Sequence, residues 1–185
     1  MGDIPMYTDV NIAIIERCQK GERKAFQELY SLYAKAMFNI SVRILNNSDE
    51  AEEVLQDSFL KAFEKISTYD KKYSFGVWLK RIVINRSLDV LKKKKLDLVS
   101  IDDADFTEEE PDEENVYDVE VLKKCIQELP DGYRTILTLF VFEECSHKEI
   151  ATLLGISEGT SKSQYNRAKK KLIELVKQKM VNHDR

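Results

Sequence analysis

The stretch SHKEIATLLGISEGTSKSQYNRAKKKL, residues 146–172, contains two helical patterns joined by a short turn. Ile150, Ala151 and Leu154 have the spacing of an apolar helix face, since residues three and four apart lie on the same side of a helix. Gly155 predicts the end of this first helix, because glycine readily adopts the left-handed conformation found there. Ser157 can cap the second helix by accepting a hydrogen bond from its free amides.

The second helix of this pair has an inward face and a basic outward face. Its inward residues are Ser161, Tyr165, Ala168 and Leu172. This layout is typical of a helix-turn-helix, whose second helix enters the major groove of DNA. The outward residues can neutralise phosphates or bond to base edges: Lys162, Ser163, Asn166, Arg167 and Lys170. The alternative is a solvated basic helix face with no DNA ligand.

The charges of the 185-residue chain, whose net charge is −4, are unevenly distributed. Residues 97–120 contain twelve acidic and no basic residues, whereas residues 22–96 carry a net charge of +5 and residues 121–185 a net charge of +4. Like charges around Pro111 repel each other, which keeps such a segment extended and solvated. We therefore predict two basic domains that suit polyanionic partners, joined by an acidic, largely unstructured linker.

Both domains show helical periodicity, and the predicted fold class is all-α. In the first domain we expect helices at residues 10–19, 25–45, 48–66 and 75–94, the third of them capped by Ser48. In the second domain we expect helices at residues 119–129, 133–142, 147–154 and 158–179, with Pro130 ending the first. The scarcity of glycine and proline also disfavours a turn-rich β architecture.

Aromatic and basic side chains occur together in the loop STYDKKYS, residues 67–74, and in the helix that follows it. The candidate core residues of that helix are Trp78, Ile82, Leu88 and Leu91. A basic helix beside loop aromatics suits single-stranded DNA, because phosphates bind the cations and unpaired bases stack. We favour core packing for Trp78. For Tyr69 and Tyr73, base contact and plain surface exposure remain equally open.

Several classes of protein are disfavoured by the sequence. No apolar run approaches the roughly 20 residues that span a bilayer, and the first residues lack a signal-peptide pattern, so we expect a cytoplasmic protein without stable membrane insertion. Cys18, Cys125 and Cys145 are widely spaced and predict buried thiols; Cys145 and His147 alone do not make a metal site. With no phosphate-binding glycine loop and no convergent catalytic pair, we predict no cofactor, no metal and no enzymatic activity.

Three blocks of this chain, in order, resemble the sigma-70 family of RNA polymerase sigma factors, in particular its short extracytoplasmic-function branch. NNSDEAEEVLQDSFLKAFEKI resembles the core-binding region, and SFGVWLKRIVINRSLDVLKKKK resembles the region that binds the −10 element. LPDGYRTILTLFVFEECSHKEIATLLGISEGTSKSQYNRAKKKL resembles the region that binds the −35 element. The resemblance covers about residues 20–176. It implies an alternative sigma factor with region 2 at residues 1–96, a linker at 97–118 and region 4 at 119–185.

The resemblance also implies roles for individual residues. Contacts to the clamp of the largest subunit of core RNA polymerase would come from Glu53, Gln56 and Asp57. The −10 strand would be read by Asn85 and Asp89, with a flipped base held by the loop at residues 69–74. The neighbouring candidates for −10 DNA are Tyr69, Tyr73, Lys80, Arg81 and Arg86. The −35 positions would be Lys162, Ser163, Asn166 and Arg167, with Lys170 beside them.

Further partners follow from the same resemblance: promoter DNA, the flap of the second-largest polymerase subunit and an anti-sigma factor. The acidic linker would extend towards the active-site and RNA-exit channel. Trp78 and Leu79 stand where primary sigma factors have paired tryptophans, which implies weaker duplex melting. Ser161 and Gln164 depart from the usual valine and basic residue, which leaves the exact −35 sequence open.

Two alternatives from other classes remain at this point. One is a stand-alone helix-turn-helix regulator that does not act through core polymerase. The other is a helical interaction protein without a nucleic-acid role. Tight duplex binding by the isolated chain favours the first, and absence of DNA binding at low salt favours the second.

Overall fold

The computed structural model describes residues 10–94 and 118–183, and in these two ranges the regular structure is helical, without strands. The described residues form two compact units, one that ends at Lys94 and one that comprises the residues from 118 onwards. The all-α prediction is confirmed. The predicted acidic linker at residues 97–118 lies outside the described residues, apart from Asp118.

The first unit consists of α1 (Ile12–Gln19), α2 (Arg23–Leu45), α3 (Ser48–Glu64) and α4 (Phe75–Lys93). A 3₁₀ turn at Ile66–Thr68 follows α3 and leads into the loop before α4. Helices α2, α3 and α4 pack on one another, and α1 packs on α2. Their apolar faces form the core, with fully buried side chains that include Ile15, Leu29, Ile44, Leu79 and Val83.

The connection between α2 and α3 is only two residues long, and its capping differs from the prediction. Asn47, rather than Ser48, caps α3: its side-chain oxygen accepts hydrogen bonds from the amides of Asp49 and Glu50 at 3.0 and 3.1 Å. Asn46 ends α2 in the left-handed conformation, with φ 53°. Asparagine tolerates this conformation better than most residues, which allows so short a turn.

An aromatic cluster surrounds the first residue of α4. Phe75 has no exposed surface, and its ring centroid lies 5.4 Å from Tyr33, 5.6 Å from Tyr69 and 5.4 Å from Trp78. A Cβ on Gly76 would come within 3.0 Å of the Tyr33 ring, so a larger residue requires that ring to move. Trp78 packs against this cluster while staying partly exposed.

The second unit consists of α5 (Val119–Glu128), α6 (Asp131–Leu137), α7 (His147–Leu154) and α8 (Glu158–His183). A buried apolar cluster joins α5, α6 and α8 through Ile126, Leu137 and Ala168, together with Leu129 just after α5. Pro130 precedes α6 and separates it from α5, as predicted. Gly155 ends α7 with φ 71°, also as predicted.

Two helices of the second unit differ from the prediction. The helix expected at residues 133–142 ends early as α6 and continues as a π-helical turn at Thr138–Phe142, in which the amide of Glu143 donates to the carbonyl of Thr138. Helix α8 extends beyond residue 179, because Val176 is buried and Lys179 forms an ion pair with Glu128 of α5.

Truncation of Phe75 should destabilise the first unit strongly. We expect Phe75→Ala to lower the free energy of unfolding by about 3–5 kcal/mol, because it leaves a cavity among three rings. Val77→Ala is the control in the same helix turn, since Val77 is 37% exposed and should cost much less. Urea denaturation followed by circular dichroism measures both, and equal losses would contradict this description of the core.

Candidate nucleic-acid and polymerase surfaces

The turn between α7 and α8 is built by side-chain hydrogen bonds at the start of both helices. Ser146 and Glu149 form a reciprocal capping box at α7, in which the Glu149 carboxylate accepts from the Ser146 amide at 2.9 Å. The hydroxyl of Ser157 accepts from the amide of Thr160 at 2.9 Å at the start of α8. With Gly155 between them, these bonds form the helix-turn-helix that the sequence predicted.

The inward face of α8 contains the four residues that the sequence predicted and one residue more. Ser161 and Ala168 are fully buried, and Tyr165 and Leu172 are partly buried. Gln164 joins this face because it is only 7% exposed. Gln164 is therefore part of the buried side of α8 rather than of its basic surface.

The outward face of α8 brings together the five residues predicted to bind −35 DNA. Lys162 and Lys170 are exposed, whereas Ser163, Asn166 and Arg167 are half-buried. The Ser163 hydroxyl donates to the Thr160 carbonyl at 3.0 Å. Lys162 forms an ion pair of 2.8 Å with Glu158, and this ion pair lowers the pKa of the Glu158 carboxyl. Because that pair is exposed, a phosphate can replace Glu158 at little cost.

His147 lies in a packed aromatic cluster behind α8. Its ring stacks on Phe140 with centroids 4.5 Å apart, and its Nδ1 lies 3.0 Å from the hydroxyl of Ser161. Burial lowers the pKa of His147, and the nearby Lys162 ammonium lowers it further, while Glu158 acts in the opposite direction.

The cysteines have no arrangement that points to a metal. Cys145 is half-buried, with its thiol 3.8 Å from the carbonyl of Glu143, whereas Cys18 and Cys125 are buried. Burial raises the pKa of Cys18 to about 11, which keeps this thiol protonated. Within residues 10–94 and 118–183, no group of three or more histidine, cysteine or carboxylate side chains is placed to hold a metal ion.

The three residues predicted to bind polymerase share the solvent face of α3. Glu53, Gln56 and Asp57 are exposed, opposite the buried Val54 and Phe59.

The same face contains a residue that the sequence analysis missed. Leu60 is 63% exposed and lies one helical turn beyond Gln56 and Asp57. Leu60 falls outside the apolar stripe of α3, and an apolar residue at such a position could have been recognised from the sequence as a candidate for an interface.

The residues predicted to bind −10 DNA lie on α4 and on the loop before it. Arg81, Asn85 and Asp89 are exposed at successive turns of α4, and Lys80 and Arg86 are half-buried beside them. Arg86 forms an ion pair with Asp57 of α3. A residue predicted to contact polymerase therefore touches a residue predicted to contact DNA.

The two loop tyrosines differ in placement. Tyr73 is 57% exposed, and the Arg81 guanidinium lies 5.3 Å from its ring centroid. Tyr69 is only 5% exposed, so the expectation of plain surface exposure is wrong, and little of its ring is open to a base. Its ring joins the Phe75 and Trp78 cluster, because an aromatic side chain gains more from that burial than from water.

Each of the two units matches a known protein family. Residues 29–96 match the family Sigma-70 region 2, and residues 120–172 match the family Sigma-70, region 4. The chain is 30% identical to the extracytoplasmic-function RNA polymerase sigma factor SigW of Bacillus subtilis, over 85% of this chain and 92% of SigW. It is 32% identical to the RNA polymerase sigma-H factor of Pseudomonas aeruginosa, over 84% of this chain and 88% of that protein.

Two solved structures share the fold. One is the sigma factor RpoE of Bartonella quintana in complex with the anti-sigma factor NepR, with a TM-score of 0.56 and 24% identity over 83% of this chain and 98% of that chain. The other is CnrH in complex with the cytosolic domain of CnrY, with a TM-score of 0.56 and 20% identity over 91% of this chain and 98% of that chain.

A helix-turn-helix unit with a basic outward helix, preceded by a helical bundle, is typical of a DNA-binding protein. The family matches cover both units, and the chain belongs to the sigma-70 family, as an alternative sigma factor of the extracytoplasmic-function type. This membership replaces the two alternatives that the sequence left open. The relatives named above are sigma factors, a class without enzymatic activity. Among the described residues, no helix is long and apolar enough to cross a membrane.

The environment of His147 predicts a pH dependence of stability. Because the folded chain lowers the pKa of His147, the unfolded imidazole takes up a proton first as the pH falls, and folding stability decreases below about pH 6.5. We expect the thermal midpoint of the second unit to fall between about pH 8 and pH 5.5. This fall should be smaller in His147→Gln. Identical pH profiles of the wild-type chain and His147→Gln would show that His147 is not the source of the pH dependence.

Proposed function

We propose that this sigma factor binds core RNA polymerase through its first unit and directs it to promoters by reading two DNA elements. The second unit reads the −35 duplex, and the first unit captures the melted −10 strand. In this proposal region 2 comprises residues 1–96, the acidic linker residues 97–118 and region 4 residues 119–185. The observation that carries it is that the polymerase candidates share the exposed face of α3 and the −35 candidates the outward face of α8, while Arg81, Asn85 and Asp89 share the exposed face of α4.

Recognition of the −35 element rests on the outward face of α8. Arg167 can bond bidentately to guanine, Asn166 can pair with adenine, and Lys162 and Lys170 can neutralise phosphates. The capping box and the Ser157 cap fix the angle between α7 and α8, which keeps this face in one position. A rigid element presents base-reading side chains with less loss of entropy on binding.

Capture of the −10 strand rests on α4 and the loop at residues 69–74. Asn85 and Asp89 lie one turn apart on α4 and supply donors and acceptors for unpaired base edges. Tyr73, with Arg81 beside its ring, offers a stacking surface, and Lys80 and Arg86 supply charge for phosphates. Tyr69 supports this loop from within rather than contacting a base.

Docking to the polymerase clamp rests on α3. Glu53, Gln56, Asp57 and the exposed Leu60 form a polar surface with an apolar side chain inside it, which is a common composition for a protein interface. The flap of the second-largest subunit is the further polymerase contact that we propose.

The remaining proposals concern partners and setting. One solved structure that shares this fold is the sigma factor RpoE in complex with the anti-sigma factor NepR, which supports an anti-sigma factor here. We place the protein in the cytoplasm, where polymerase and chromosome meet, and assign it no catalytic chemistry, cofactor or metal of its own.

Transcription with purified core polymerase and this chain tests the proposal as a whole. Mapped start sites across genomic DNA should share one −35 and one −10 sequence, and they should disappear when the chain is left out. Starts with no shared upstream sequence would contradict promoter reading by the two units.

Substitution on α3 should separate polymerase binding from folding. We expect Gln56→Ala combined with Asp57→Ala to weaken binding to core polymerase by about tenfold or more, as loss of central interface residues does. Because Asp57 pairs with Arg86, Arg86→Ala is the matched control: it breaks the same ion pair but leaves the α3 face intact. The control should keep its polymerase affinity, measured by fluorescence anisotropy. Unchanged affinity in the double variant would contradict the assignment.

Substitution on α8 should distinguish base from phosphate contact. We expect Arg167→Ala to weaken binding of the polymerase complex by about 1–3 kcal/mol at promoters that carry the preferred base at one −35 position. The loss should be smaller at promoters with another base there. Lys169→Ala is the control for loss of charge alone, and it should weaken binding by a similar factor over all −35 sequences. Lys169 lies two helical turns from Lys162, and its ammonium is 5.2 Å from the Tyr165 ring centroid. A loss that is uniform over all −35 sequences would show that Arg167 contacts phosphate only.

A further inference from the structure

We propose that the hydroxyl of Tyr69 and the carboxylate of Glu16 are positioning groups for the loop at residues 69–74, and that they set base selectivity at the −10 element without touching DNA. This inference rests on the proposed function, in which that loop receives a base of the melted strand. It assigns a role in promoter choice to α1, which the sequence analysis left without one.

Tyr69 fixes the two ends of the loop to each other. Its hydroxyl donates a hydrogen bond of 2.6 Å to the carbonyl of Tyr73. Its ring lies against Phe75 and Trp78, with centroids 5.6 and 5.5 Å away. A buried ring packed against two others has little freedom to move. The backbone that carries the exposed Tyr73 side chain is therefore held by the core of the unit.

The middle of the loop is a tight turn with an uncommon backbone conformation. The Asp70 carboxylate accepts from the amide of Lys72 at 3.2 Å. Between them, Lys71 has φ 61°, in the left-handed region that few residues other than glycine and asparagine adopt. Interactions outside the turn must offset the cost of this conformation.

Helix α1 contacts this loop although it lies about fifty residues earlier in the chain. The Lys71 ammonium contacts the Glu16 carboxylate at 2.9 Å, and this contact lowers the pKa of Glu16. One turn further along α1, the Gln19 amide donates to the carbonyl of Ile66 at 3.0 Å, just before the loop. Helix α1 thus contacts both the chain entering the loop and the residue at its apex.

These contacts suit positioning better than they suit folding. The Glu16–Lys71 pair is exposed on both sides, and such pairs contribute little to folding stability. Binding groups, by contrast, must be held within about half an ångström to discriminate between ligands. A loop that is already ordered also loses less entropy when a base enters it.

The test uses the full chain with core polymerase and a set of promoters that carry each base at each −10 position. Tyr69→Phe removes the hydroxyl and keeps the ring, and Glu16→Gln removes the charge that faces Lys71. We expect each to reduce the ratio of transcription between preferred and non-preferred bases at one −10 position by about threefold to tenfold, the effect of losing one hydrogen bond. Selectivity at the −35 element and affinity for core polymerase should stay unchanged.

Two further variants separate positioning from a general loss of structure. Tyr133→Phe removes a hydroxyl from the second unit and should leave −10 selectivity as it is. The exchange of charges in Glu16→Lys with Lys71→Glu should restore much of the selectivity lost in Glu16→Gln.

The outcomes distinguish this inference from the proposed function. If the wild-type chain selects bases at the −10 element and Tyr69→Phe and Glu16→Gln select equally well, the positioning role is wrong and the proposed function stands. Equal weakening at every promoter, without a change in the ratio, also overturns the positioning role. If the wild-type chain shows no −10 selectivity, the proposed function fails and this inference fails with it.

Discussion

The burial of Phe75 is the constraint on which the rest of the first unit depends. Its ring contacts Tyr33 of α2, Tyr69 of the loop and Trp78 of α4, so one side chain joins three segments. Tyr33 in turn accepts a hydrogen bond of 3.0 Å from Asn11, just before α1. The loop proposed to hold a −10 base is therefore fixed by the same contacts that hold the helices together.

The proposed binding surfaces on α3 and α4 are the solvent-facing sides of helices whose other sides pack in the core. Helices α3 and α4 bury apolar faces against α2 and against each other, which leaves their polar faces to solvent. Asp57 and Arg86 meet where those two polar faces adjoin, and Lys94 and Glu50 form a second contact there, at 2.6 Å. The surfaces that we propose for polymerase and for −10 DNA are thus neighbours on one helical bundle, so in this proposal docking to polymerase also sets the position of the DNA surface.

The elements follow from the sequence because helical periodicity and glycine or proline signals are local; Gly155 and Pro130 end helices where those signals predicted. What the sequence could not decide depends on packing. Asn46, Asn47 and Ser48 can all serve at a helix end, and only the geometry of the short turn selects Asn47 as the cap. Tyr69 lies in a polar loop, and nothing local shows that three rings draw it inward. The exposure of Leu60 and the burial of Gln164 were missed as well, because both depend on where the neighbouring helices lie.

The central claim is that this chain acts on DNA as a subunit of RNA polymerase. Sedimentation of the purified chain with core polymerase, with and without labelled promoter DNA, tests it most directly. We expect a one-to-one complex with polymerase in the absence of DNA, and promoter binding that is much tighter for the complex than for the chain alone. Tight and specific duplex binding by the isolated chain, with no complex with core polymerase, would contradict it.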